Sequence, residues 1–156
     1  MRKGLYFKGV ATRYGVATPA SVDVARAVLG DEGVGPAGYS AARAFGLTTQ
    51  VPPRTELAVA GPLPAPLEDV RLHRRNNMAR RRLTWFEIAL LEVLRAWDTV
   101  SDKPLSDLAD AVSTAVRAGK LNLASVADVL RTERSPAARD RFEALSAILS
   151  EPVRAA

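Results

Sequence analysis

The segment WFEIALLEVLRAW, residues 85–97, constrains this chain more than any other stretch. Apolar residues fall at almost every position instead of on one stripe, a pattern that a helix tolerates only when neighbours cover it on all sides. Its start is also specified. Thr84 stands three residues before Glu87, the spacing of a capping box, and Leu83 and Ile88 occupy the flanking positions of a hydrophobic staple. A central buried helix therefore begins at residue 85, and the other elements must form its coat.

Three further helices are expected after it. Leu105, Leu108, Val112 and Val116 share a face that ends before Gly119; Leu123, Val126 and Leu130 share another; and Ser135-Pro136 caps a last helix carrying Ala138, Phe142, Leu145 and Leu149. The upstream half reads differently. In RKGLYFKG, residues 2–9, Leu5 and Phe7 alternate with Tyr6 and Lys8 as in a half-buried strand that needs a neighbour. Thr18-Pro19 reads as the cap and first residue of a helix through Val22, Ala25, Val28 and Leu29, stopped by Gly30. A second short helix follows Pro36 through Tyr39, Ala42 and Phe45, with Gly46 placed to take the left-handed conformation that ends helices. TELAVA (55–60) and DVRLHR (69–74) alternate as strands, joined by the Pro-rich loop GPLPAPL.

The expected fold is thus α+β: a small mixed β-sheet with two helices, followed by a C-terminal bundle of about four helices. Residues 1–82 form the mixed part with its basic segment and 83–156 the helical part, packed as one compact unit. A chain of 156 residues is long enough to bury such a core.

Composition narrows the chemistry. There is no Cys, which excludes disulfides and thiolate-ligated zinc and points to a reducing cytoplasm. No apolar run has the length of a membrane span, so neither secretion nor a membrane partner is expected. Residues 1–82 hold 13 Lys and Arg against 6 Asp and Glu, whereas 83–156 hold 9 against 11. The basic half implies an anionic partner, either nucleic acid or an acidic protein face.

Catalytic constellations fare poorly. Gly33-x-Gly35-x-x-Gly38 matches the dinucleotide fingerprint, which works only between a strand and a helix, and here the preceding run reads better as helix. Glu56 lies where a ribose-binding acid could sit but falls near the start of its strand. A turn and helix start is the preferred reading, and no cofactor is expected. His73 is the single histidine and sits on an Arg-rich strand, expected as a solvated face; Asp69 and Glu56 lack the Lys of a metal-nuclease set. No metal site and no enzymatic activity are expected.

The basic segment is the better candidate. Arg71, Arg74, Arg75, Arg80, Arg81 and Arg82 lie within twelve residues without one acid, around an Asn76-Asn77 turn. Guanidinium groups suit bidentate contacts to phosphate or carboxylate. The cluster either meets a partner or covers the acidic C-terminal helices of its own chain. No aromatic residue interleaves with it, which argues against single-strand stacking.

Gly46-Leu47-Thr48-Thr49-Gln50-Val51-Pro52 resembles the Gly-Leu-Ser/Thr-Thr-Gln-Val-Pro signature of the AbiEi-type antitoxins of bacterial type IV toxin–antitoxin systems. The strand RKGLYFKG, the Thr18-Pro19 helix start and the TELAVA strand are similar to that family's pattern, so the resemblance covers residues 2 to about 75. It implies a non-enzymatic module that neutralises a nucleotidyltransferase-like toxin. In such antitoxins an N-terminal winged helix-turn-helix binds operator DNA and serves transcriptional autoregulation; here the resemblance implies that only the last strand of the wing is kept. Sequence-specific DNA reading would then belong to a missing upstream segment, with phosphate contact by Lys3, Lys8 and Arg13 still open. Read from the residues alone, the signature is a structural joint: Gly46 ends a helix, Thr48, Thr49 and Gln50 bond freed backbone groups, and Pro52-Pro53 forces extended chain. Contact of Thr49 or Gln50 with a partner is the alternative. The rival function is a nonspecific nucleic-acid-binding protein using residues 71–82.

Overall fold

A computed structural model describes residues 10–12, 15–17, 21–30 and 32–151. In chain order it contains strands β1 (Val10–Thr12) and β2 (Gly15–Ala17), helix α1 (Ser21–Leu29), strand β3 (Val34–Pro36), helix α2 (Gly38–Ala44), and strands β4 (Thr55–Ala60) and β5 (Val70–Arg75). A 3₁₀ turn (Met78–Arg82) then leads into helices α3 (Trp85–Val100), α4 (Leu105–Arg117), α5 (Leu123–Leu130) and α6 (Pro136–Ser150). The class is α+β, a small mixed sheet with two helices followed by a bundle of four. The expected strand over residues 2–9 and the Thr18-Pro19 cap lie outside the described residues.

β1 and β2 pair as an antiparallel hairpin that the sequence reading did not anticipate. The second sheet has the order β3-β4-β5, with β3 antiparallel and β5 parallel to β4. The parallel pair is possible because the long Pro-rich loop carries the chain back before β5 begins. On one face of this sheet Leu57 and Val70 meet Ala25 of α1; on the other, Ala58 joins the main core with α2 and α3.

α3 is the axis of the molecule. Every residue from Glu87 to Leu94 is buried, as the all-round apolar pattern requires. At its start Glu87 Oε1 accepts from the Thr84 amide (2.9 Å), and the staple residues Leu83 and Ile88 are both buried. Glu87 Oε2 accepts from the Asn122 amide (2.7 Å), tying the start of α3 to the start of α5. One core runs from Ala37 and Leu47 through α3 to Val112, Val126 and Leu145, so residues from both halves of the chain share it. In α4 the buried face is Leu108, Val112 and Ala115; Val116 is 39% exposed, contrary to its expected place.

The fingerprint glycines are packing residues. Gly35 lies within β3, where a Cβ would stand 2.5 Å from the Trp85 carbonyl oxygen and 2.6 Å from Ile88 Cβ, and a Cβ on Gly38 would strike the Glu56 carboxylate. The strand that the dinucleotide fingerprint requires before its glycines is instead inside the motif, and Gly35 and Gly38 let the sheet edge close on α3 and let α2 close on β4. α2 ends as its sequence predicts: Gly46 takes φ 68°, its amide donates to Arg43 O (3.0 Å), and the Leu47 amide donates to Ala42 O (2.9 Å), a Schellman cap.

Candidate functional site

The Arg-rich segment does not form one surface. β5 places alternate residues on opposite sheet faces, the 3₁₀ turn redirects the chain, and the six guanidiniums end in different surroundings. Arg71 reaches a cleft beside the signature loop, Arg74, Arg75 and Arg80 line a second cleft, and Arg81 lines a third beside α1. Arg71, Arg74, Arg81 and Arg82 are exposed.

Arg80 corrects the expectation that all six face a partner. It is 1% exposed and works inside the chain. Its Nε and Nη2 donate to Glu133 Oε1 (2.5 Å) and Oε2 (3.2 Å), and its Nη1 donates to Glu92 Oε1 (2.8 Å). Arg75, half-buried, grips the same Glu92 through Nε (2.7 Å) and Nη2 (3.1 Å). Two of the six thus cover acids of the chain's own helical half, Glu92 in α3 and Glu133 in the turn between α5 and α6, in line with the alternative the sequence had left open. Asn77 caps the 3₁₀ turn through Ala79 N and donates to Glu133 Oε1 (3.1 Å), while Arg139 donates to the Glu133 carbonyl.

The electrostatics follow from this geometry. Burial opposes charge on Glu92, but the guanidiniums of Arg75 and Arg80 outweigh it and hold the carboxyl below the usual carboxylate range. Glu133 behaves likewise, with burial overcome mainly by Arg80. Burial also pulls on Arg80, and its two carboxylate partners raise it above its ordinary value. Sequence reasoning passed over Glu92 as one charge in an apolar helix. Its signal was that a charge on a helix covered all round has to be paired.

The signature divides into an inner and an outer half. Leu47 is fully buried, and Thr48, 7% exposed, donates through Oγ1 to Asp102 Oδ2 (3.0 Å) while accepting from the Gln50 amide (3.1 Å). The Asp102 amide donates to Leu47 O (3.1 Å), so this joint fastens the end of α2 to the turn after α3. Thr49 and Gln50 are exposed, Val51 is 69% exposed, and Pro52 is half-buried. Gln50, Val51 and Pro52 border an open cleft of about 590 Å³ with Tyr39, Glu56 and Arg71. His73 is half-buried within β5, its Nε2 3.2 Å from Glu56 Oε1, instead of standing free on a solvated face. Lys3, Lys8 and Arg13 lie outside the described residues.

No family model matches this chain, and no curated protein matches it. A crystal structure of the RV2827C protein from Mycobacterium tuberculosis is similar at a TM-score of 0.46 and 20% identity, over 84% of this chain and 53% of that one. The chain spans about half the length of that protein. Among the described residues no helix is long and apolar enough to cross a membrane, and no three acids or histidines group as a metal site.

Proposed function

We propose that this chain is a non-enzymatic protein-interaction module of an AbiEi-like antitoxin that acts in the cytoplasm against a nucleotidyltransferase-type toxin. The observation that carries the reading is the division of the signature. Gly46, Leu47 and Thr48 are consumed by the fold, whereas Gln50 and Val51 are exposed and border a cleft with Arg71 at its edge. An isolated exposed Val is ordinary; one at the mouth of a cleft with a charged rim has the composition of a docking edge. The test is co-expression with the product of an adjacent toxin-like gene. Co-purification and rescue of growth are expected, and Val51→Asp is expected to abolish both while leaving unfolding unchanged within about 0.5 kcal/mol, as for exposed sites in general. Absence of both capture and rescue by the unaltered chain refutes the proposal.

A second reading, nonspecific nucleic-acid binding, is favoured by the exposure of Arg71, Arg74, Arg81 and Arg82. It expects salt-sensitive retardation of unrelated DNA, with each removed phosphate contact lowering the salt slope by about 1. Flat binding at low salt excludes it.

A further inference from the structure

The second cleft contains more cation than the fold requires. Arg74 and Arg75 reach it from the end of β5, Arg80 from the 3₁₀ turn, Arg95 from α3, and Glu133 and Arg134 from the turn between α5 and α6. Its volume is about 660 Å³, within the range of small-molecule sites. Five guanidiniums stand against two carboxylates, Glu133 at the wall and Glu92 behind Arg75 and Arg80, a surplus of three positive charges.

That surplus is placed, and it is available. Arg80 is fixed by both carboxylates, and Arg75 spends Nε and Nη2 on Glu92 and leaves Nη1 uncommitted. Arg95 sits half-buried one turn along α3 from Glu92, yet its side chain donates no hydrogen bond and forms no ion pair among the described residues. Burial lowers its affinity for the proton; the neighbouring Arg75 and Arg80 act in the same direction, and Glu92 and Glu133 offset them in part. No buried side-chain nitrogen or oxygen lacks a partner among the described residues, so the free donors of Arg95 open to solvent in the cleft. Arg95 thus carries its charge near two other guanidiniums with no acid bonded to it, which leaves its donors able to receive an anion from solvent.

We propose that this cleft binds the phosphoryl group of a small phosphorylated ligand. A carboxylate carries one charge in one plane and is satisfied by a single guanidinium fork. Donors converging from a strand end, a helix and a turn instead fit a tetrahedral group with close to two charges and three acceptor oxygens. No aromatic side chain lines the cleft, so recognition of a base by stacking is absent and the phosphoryl end carries the affinity. The proposal stands apart from the toxin-binding reading, which uses the cleft at Val51.

Inorganic pyrophosphate is the probe, followed by titration calorimetry and by the melting temperature of the full chain. Saturable binding is expected, with a rise in melting temperature as the ligand exceeds its dissociation constant. Arg95→Met is expected to weaken it about ten- to hundredfold, the loss appropriate to a charged hydrogen-bonding partner. Since the Arg95 side chain makes no hydrogen bond or ion pair among the described residues, its variant should melt close to the parent without ligand, and Arg134→Ala, at an exposed position, provides a second such variant. No saturation by about 10 mM, or equal affinity in the parent and Arg95→Met, overturns the assignment. A short oligonucleotide that binds where pyrophosphate does not overturns it too, in favour of an extended phosphate backbone.

Discussion

Replacing Arg80 by Met removes the centre of the buried ion network while keeping an unbranched side chain of similar reach. Three hydrogen bonds to carboxylates disappear, two to Glu133 and one to Glu92. The two acids do not suffer equally. Glu92 keeps both bonds from Arg75, whereas Glu133, 6% exposed, keeps the single bond from Asn77. At about 1.5–3 kcal/mol for each charge-assisted bond, the gross loss would be roughly 4.5–9 kcal/mol. Water entering the adjoining cleft and a swing of Arg95 toward Glu133 recover part of it. The expected net cost is about 3–5 kcal/mol, the range for stripping one partner from a buried pair.

Urea denaturation at pH 7 measures this directly, and thermal melting should show a fall of roughly 6–20 °C for a chain of this length. The dependence on pH separates an electrostatic cause from a packing one. In the parent the folded-state pKa values of Glu92 and Glu133 lie below their unfolded values. Their contribution is therefore fully present above about pH 4.3 and is lost as pH falls through the depressed folded values. The variant has less of this contribution to lose, so the gap between the two proteins narrows on acidification. A triple variant with Arg80→Met, Glu92→Gln and Glu133→Gln should regain most of the loss at pH 7, because no carboxylate is left buried without its partner. A penalty under about 1 kcal/mol at pH 7, or one that is undiminished near pH 3, would refute the reasoning.

Two smaller perturbations test the joints around the site. Thr48→Val removes the donor to Asp102 and the acceptor for the Gln50 amide at a buried position, and about 1–3 kcal/mol of unfolding free energy should be lost in urea denaturation. Gly35→Ala places a methyl group against Trp85 O and Ile88, so a loss of about 1–3 kcal/mol is expected from overpacking, and nucleotides should give no rise in melting temperature to either form. A nucleotide-dependent rise lost in Gly35→Ala would return the glycine motif to a binding role.

What the sequence made legible is what depends on near neighbours. The Thr84–Glu87 box, the Gly46 cap and the Ser135-Pro136 start each rest on interactions within a few residues, and each is found where its pattern falls. β3 escaped because three residues containing Gly35 and Pro36 carry no alternation to detect; only Val34 and pairing with β4 mark it as strand. Val116 misled because its spacing from Leu105, Leu108 and Val112 is as helical as that of Ala115, and only the position of α6 decides which is covered.

The arginine segment illustrates the same limit at the level of charge. Residues 1–82 carry seven more positive than negative charges, which alone suggests an outward-facing basic surface. Arg80 lies 12 residues from Glu92 and 53 from Glu133 along the chain, separations over which composition cannot tell a neighbour from a stranger. Once folded, the acidic half neutralises part of the basic half internally, so the asymmetry overstates what is left for a partner. Arg95 runs the other way: it belongs to the acidic half and looks like an incidental charge on an apolar helix, yet it stands near Arg75 and Arg80 and its side chain bonds to no acid among the described residues. Counting basic residues along the chain therefore misjudges how much cation is left for an external anion, because an acid already bound within the chain satisfies a cation as completely as an external ligand would.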